Sequence, residues 1–194
     1  VGLGGIVGGR QRLQVRSSGT PRQALLQALA DEVVLVGVWG RSEDSARRLG
    51  QSAGVPWYTS LEKLVRETAP QIGIVSVAYA ANGEVGLMAV ESGLHVLLET
   101  PIAHNLREAQ AIMQAAQQRG LKIEVAEQFH RRPLEQIKLK LIASGIFGKV
   151  YTSFNDFAGH GYHGISVMRS YLGFDAVPTQ VMGTVRQYSL QPDR

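Results

Sequence analysis

Apolar residues fall along this chain in short runs separated by amphipathic stretches. Val33 to Trp39 (VVLVGVW) is a continuous, β-branched run of the kind that a strand covered on both faces of a parallel sheet requires. Gln71 to Ala78 reads as another buried strand, Val96 to Leu98 is an apolar run of strand length, Leu121 to Ala126 predicts the next strand, and Trp57-Tyr58 a shorter one. Between them the spacing predicts helices: one through Ala46 and Leu49, and one with Leu61, Leu64 and Val65 inward behind a Thr59-x-x-Glu62 capping box. A third runs through Val85, Met88 and Ala89 to Gly93. The fourth carries Leu106, Ala109, Ile112, Met113 and Ala116 inward, opened by Asn105-x-x-Glu108 and closed by Gly120. A strand ending near Leu3 and a helix on Ala24, Leu25, Ala28 and Leu29 begin the series. This alternation predicts an α/β fold, a doubly wound parallel sheet whose carboxyl-end loops lie along one edge.

After Pro133 the texture changes. Leu134, Ile137, Leu141 and Ile142 predict a helix ended by Gly145 and Gly148, and Val150 to Phe157 alternates like a strand with one wet face. Ile165, Met168, Arg169 and Leu172 lie at helical spacing behind His163, and Thr179 to Ser189 alternates again. The pattern predicts one domain over residues 1–128 and, over 129–194, the beginning of an α+β domain whose sheet is incomplete. Both ends read as cut.

Composition narrows the classes. Hydrophobic content of 44% and charged content of 19% belong to a globular protein. No apolar run approaches the roughly 18 residues of a membrane span. A net charge of +4 is modest, and its one cluster, Arg10, Arg12, Arg16 and Arg22, reads as a solvated loop or a phosphate contact rather than a nucleic-acid surface. The absence of cysteine excludes disulfides, thiolate metal sites and a cysteine nucleophile, and fits a cytoplasmic location.

The predicted sheet edge gathers polar and glycine-rich features. Gly2-x-Gly4-Gly5-Ile6-Val7 reads as a tight turn through which backbone amides approach a pyrophosphate. Gly40-Arg41-Ser42 closes the Val33 strand, at the position where an acidic residue takes ribose hydroxyls and an arginine accommodates a 2′-phosphate. Arg41 with Ser42 thus points to NADP(H), with NAD(H) as the alternative; Ser42 also reads as a helix cap, with Glu43 and Asp44 on its dipole. Ala78 to Asn82, Glu99-Thr100 and Glu127 to His130 fall on the same edge.

Taken together, Gly-Leu-Gly-Gly-Ile, Gly40-Arg41-Ser42, the block Ser92 to Pro101 (SGLHVLLETP), LIASGIFGKV from Leu141, and His163 ahead of Met168-Arg169 resemble the glucose-fructose oxidoreductase, inositol dehydrogenase and MocA family. The resemblance implies a Rossmann domain binding NAD(P) through Gly2, Gly4, Gly5, Ile6, Arg41, Ser42, Ala78 and Glu99. It also implies a small-molecule substrate and a second domain whose large open sheet is often used for homo-oligomerisation. Family dehydrogenases carry a lysine where this chain has Thr100, an aspartate where it has Gly159, and a proline and histidine at Ala78 and Asn82. The catalytic candidates that remain are His163 as acid/base and Thr100 as a hydrogen-bonding group to substrate, with Asp156, His160 and Tyr162 as local partners for the histidine. His163 reads equally as a residue packed at a helix start.

The leading expectation is therefore an NADP(H)-preferring oxidoreductase acting on a sugar, polyol or related hydroxy compound. The alternatives are a coenzyme-binding protein without dehydrogenase chemistry and a redox-assisted hydrolase or lyase. No membrane, nucleic-acid or metal partner is expected.

Overall fold

A computed structural model describes residues 5–7, 33–155 and 160–184. The chain divides into two compact units, Val1–Glu127 and Gln128–Arg194.

The first unit is built on one six-stranded sheet. Its strands are β1 (Gly5–Val7), β2 (Leu35–Trp39), β3 (Trp57–Tyr58), β4 (Ile72–Val75), β5 (His95–Leu98) and β6 (Ile123–Val125), in the spatial order β3-β2-β1-β4-β5-β6. Helices α1 (Glu43–Ala53), α2 (Leu61–Thr68), α3 (Asn82–Glu91) and α4 (Leu106–Arg119) occupy the connections. This is the doubly wound order of nucleotide-binding sheets. Its core holds Leu64, Leu94, Leu98, Ile112, Val38 and Val90, all fully buried. Each contributes roughly 1.5–3 kcal/mol by leaving water.

One strand departs from the parallel expectation. β1 runs antiparallel to both β2 and β4, pairing Ile6 with Gly37 and Gly5 with Ile74. Gly5 and Ile6, expected in a phosphate-cradling turn, therefore lie inside a strand; Gly2, Gly4 and the helix expected at Ala24 to Leu29 lie outside the described residues. The slot between β2 and β4 demands that every backbone N–H and C=O find a partner, and an antiparallel ladder satisfies that demand as well as a parallel one. A three-residue strand carries too little pattern to choose between them.

Helix starts follow the buried positions. Leu61 and Leu64 are both buried, so Ser60, immediately before Leu61, becomes the cap of α2: its Oγ accepts from the Lys63 N–H at 3.1 Å. The cap is thus one residue later than Thr59-x-x-Glu62 predicted. In α4 the Asn105 cap is as expected, but Leu106 (72% exposed) and Met113 (60%) face water. Ile112, Ala115 and Ala116 make the buried face, and Met113 and Leu106 stand about 100° and about 120° round the helix from Ile112.

In the second unit, α5 (Pro133–Ala143) and α6 (Gly161–Leu172) form as predicted. The Tyr171 hydroxyl donates to Glu135, and Lys138 Nζ donates to Glu135 Oε1 at 2.8 Å and to the Tyr171 oxygen at 3.3 Å. Burial pushes the Glu135 carboxyl upward, yet the hydrogen bonds from Lys138 and Tyr171 and the nearby cations together hold it below the ordinary value. The alternating stretches behave differently from expectation. Residues 150–155 and 179–184 form no strand, because a strand needs a ladder partner and none exists among the described residues. Ile165 and Leu172 are exposed; the buried face of α6 is His163, Gly164 and Val167. No helix among the described residues is long and apolar enough to cross a membrane.

Candidate functional site

Because β2 and β4 are each antiparallel to β1, they run parallel to each other, and β3, β5 and β6 follow their neighbours. Five carboxyl ends therefore share one edge, where ligands bind in open α/β sheets.

At the end of β2, Gly40 turns close against α1: a Cβ built there would come 3.1 Å from the Ala46 nitrogen. The chain then presents Arg41, which is exposed and forms no ion pair among the described residues. Ser42 caps α1, its Oγ accepting from the Ser45 N–H at 3.3 Å, with Glu43 and Asp44 in the first turn. The capping role is thus present; it leaves the Arg41 guanidinium uncommitted.

At the end of β4, a 3-10 turn over Tyr79–Ala81 leads into α3, and the Ala78 carbonyl accepts from the Ala81 N–H at 2.8 Å. At the end of β5, the Glu99 N–H donates to the Val75 carbonyl at 2.9 Å, and Glu99 Oε2 turns back to accept from the Thr100 N–H at 3.0 Å. A cis peptide joins Thr100 to Pro101. The structure thus brings Ala78, Glu99 and Thr100 together on adjacent strands. Arg41 stands three strand spacings from Thr100, roughly 14 Å along the edge.

Asn82, which the sequence places on this edge and at the position of a family histidine, is given no role there by sequence alone. It is 2% exposed and opens α3, with its Nδ2 donating to the carbonyls of Glu99 at 2.7 Å and Pro101 at 2.6 Å. Its partners lie 17 and 19 residues away, so no local spacing reveals them. Tyr79 and His104 form a second unanticipated pair on this edge, in edge-to-face contact at 4.9 Å and both exposed.

His163 belongs to the second unit. It lies in the first turn of α6, 8% exposed, with its ring 4.2 Å from that of Phe129 and 4.4 Å from that of Tyr162. The packed-histidine reading is therefore realised in geometry. His160 is exposed and stacks on Tyr162, whereas Asp156 and Gly159 lie outside the described residues. Among the described residues no group of three or more side chains is placed to hold a metal ion.

Comparison with known proteins adds three kinds of finding. The family profile GFO_IDH_MocA, described as an oxidoreductase family with an NAD-binding Rossmann fold, matches residues 1–127. Among curated proteins, Dehydrogenase aclE of Aspergillus oryzae is 29% identical over 126 residues, 63% of this chain and 34% of its own length. Levoglucosan dehydrogenase of Pseudarthrobacter phenanthrenivorans is 26% identical over 110 residues, 55% of this chain and 27% of its own. The chain spans about a third of the length of the curated relatives it matches. Among solved structures, GenD2 from gentamicin A biosynthesis, in complex with NAD, has a TM-score of 0.66 at 22% identity, covering 77% of this chain and 49% of that one. The likeness in structure is one of fold.

Proposed function

Because the chain belongs to the Gfo/Idh/MocA oxidoreductase family, with its NAD-binding Rossmann fold, we propose that the protein transfers hydride between a nicotinamide coenzyme, NADP(H) in preference to NAD(H), and a sugar, polyol or related hydroxy compound. The observation that carries the coenzyme preference is Arg41: exposed, outside any ion pair among the described residues, and seated where β2 ends. At that position an arginine pairs with a 2′-phosphate, whereas an aspartate or glutamate would repel it. Ser42 and the first turn of α1 border the same point. Glu99 and Ala78 line the middle of the edge and are assigned coenzyme contacts, as are Gly2 and Gly4; Gly5 and Ile6, whose backbone is held in the ladders of β1 with β2 and β4, are not assigned one.

The coenzyme, when bound, supplies the hydride acceptor or donor. The protein's own groups handle the substrate hydroxyl. The Thr100 hydroxyl, at the end of β5, hydrogen-bonds and orients it, but an alcohol of ordinary acidity holds its proton too tightly to act as acid or base. His163 is assigned that proton, since an imidazole ring carries both an N–H donor and a nitrogen lone pair that can accept a proton. Its burial against Phe129 and Tyr162 favours a second reading in which the protein binds coenzyme without dehydrogenase turnover.

Both readings are tested on the full-length protein. Fluorescence titration with NADPH and NADH should show tighter binding of NADPH, and Arg41→Glu should weaken NADPH by about tenfold or more while leaving NADH within about twofold. Binding of neither coenzyme would sink the proposal. Coenzyme reduction with a panel of sugars and polyols, lowered about a hundredfold or more in His163→Ala, supports the oxidoreductase; coenzyme binding with no turnover supports the second reading.

A further inference from the structure

We propose that Asn82 is a positioning residue that holds the Glu99–Thr100–Pro101 turn at the carboxyl edge, and thereby sets the protein's affinity for its coenzyme. The second clause rests on the reading above; the first rests on geometry alone.

Both groups that face Asn82 Nδ2 are carbonyl oxygens, those of Glu99 at 2.7 Å and Pro101 at 2.6 Å. That environment settles which end of the amide points at the turn, since an amide oxygen would be repelled by both. An NH2 group supplies two donors from one atom, so one side chain ties the backbone on both sides of Thr100. A neutral imidazole has a single N–H and could satisfy only one of the two carbonyls. The histidine that the family resemblance expects at this position would leave the other unmet.

Asn82 sits on firm ground. It opens α3, whose residues Val85, Ala89 and Val90 are buried in the core, and is itself almost wholly excluded from water. Burial strengthens both bonds by lowering the local dielectric and makes their loss costly. Farther along, Glu108 holds the other end of the same loop, accepting from the His104 N–H at 3.3 Å and from Asn105 Nδ2 at 2.7 Å. The residues between are anchored by side chains at both ends. Thr100 depends on the Asn82 end.

Cost also appears on the far side of the amide. Asn82 Oδ1 is buried and meets no hydrogen-bond partner among the described residues. A buried acceptor left unmet costs about 1–3 kcal/mol, so an apolar residue of the same size would be favoured at this place if packing alone decided. The amide is explained by what Nδ2 holds.

The test uses Asn82→Asp and Asn82→Leu, which keep the side chain's size and remove the two donors, in the full-length protein. Hydrogen–deuterium exchange should quicken by about tenfold or more at amides 99–104 in both variants, while amides of Leu35–Trp39 exchange as in the parent. NADPH affinity by fluorescence titration should fall by about tenfold or more, two hydrogen bonds' worth. Asn82→Gln, which keeps the NH2, should recover part of that loss. Equal quickening at Leu35–Trp39 and at 99–104 would mean general destabilisation and would overturn the proposal, as would NADPH affinity within twofold of the parent in both variants. Should the parent bind neither NADPH nor NADH, the functional reading fails and the exchange result alone decides the positioning role.

Discussion

The two units of this chain are written in the same alphabet and end up in different states. In the first, apolar runs at strand and helix spacing are buried: Leu98 on β5, Val90 on α3, Ile112 on α4 and Leu64 on α2 are sealed from water. In the second, apolar residues at equally regular spacing stand exposed, among them Leu134, Ile137 and Leu141 on one stripe of α5, and Phe154 and Val181 in stretches expected to be strands. Of the buried apolar residues among those described, only Val167 belongs to the second unit. Periodicity states which face a segment would bury; it does not supply the surface against which to bury it. The first unit contains both halves of each such contact. Residues 128–184 hold the faces of a layer without the described partner that would close it.

This contrast can be broken most sharply in the core. Leu98→Ala removes a fully buried side chain from between α3 and the sheet and should cost about 2–5 kcal/mol, read by urea unfolding of the first unit's signal. A loss below 1 kcal/mol would show that the sheet is packed far more loosely than its burial indicates. Gly50→Ala comes next. Although alanine favours a helix interior, a Cβ on Gly50 would sit 2.7 Å from Trp57 Cβ and 2.9 Å from the Val55 carbonyl oxygen, so α1 would have to lift from β3. A destabilisation of about 1–3 kcal/mol is expected, and a stabilised variant would refute the close approach.

The second unit offers smaller effects. Glu135 has a folded pKa below its ordinary value, so its share of stability is present above the unfolded carboxylate range and is lost as pH falls through the folded pKa. Tyr171→Phe removes one of the donors that lower that pKa. The variant should therefore lose about 1 kcal/mol or less at neutral pH and show a flatter acid limb between roughly pH 5 and 3, measured by thermal unfolding across that range. An unchanged acid limb would show that Lys138 and Arg132 hold the carboxylate without the tyrosine. Smallest is Ile137→Gln on the exposed stripe of α5, expected to stay within about 0.5 kcal/mol in the 194-residue chain. A loss of several times that would reveal a covering surface and dissolve the contrast.

Much of the fold, and the position of several candidate residues at the sheet edge, was legible in the sequence. Apolar runs named β2, β4, β5 and β6, capping residues placed the starts of α1, α2 and α4 to within a residue, and the turn after Trp39 placed Arg41 at an exposed strand end. Glu99 and Thr100 emerged at the end of β5 because Pro101 marks where regular pairing stops. What went unread depended on distance in the chain. The Asn82 amide reaches carbonyls 17 and 19 residues away, and Tyr79 meets His104 across two loops. Leu106 and Met113 joined the predicted stripe of α4, yet the helix turned Ile112, Ala115 and Ala116 toward the core instead.

The amino-acid sequence by itself determined the class of fold, the order of its elements and the candidates that meet at their carboxyl ends, because hydrophobic periodicity, caps and turn residues act within a few positions of themselves. Only the tertiary structure decided that β1 runs antiparallel, that a buried asparagine ties both sides of Thr100, and that His163 sits packed between aromatic rings. Ladder direction, long-range hydrogen bonds and burial are properties of what a residue meets, and no residue carries its neighbours in its own identity.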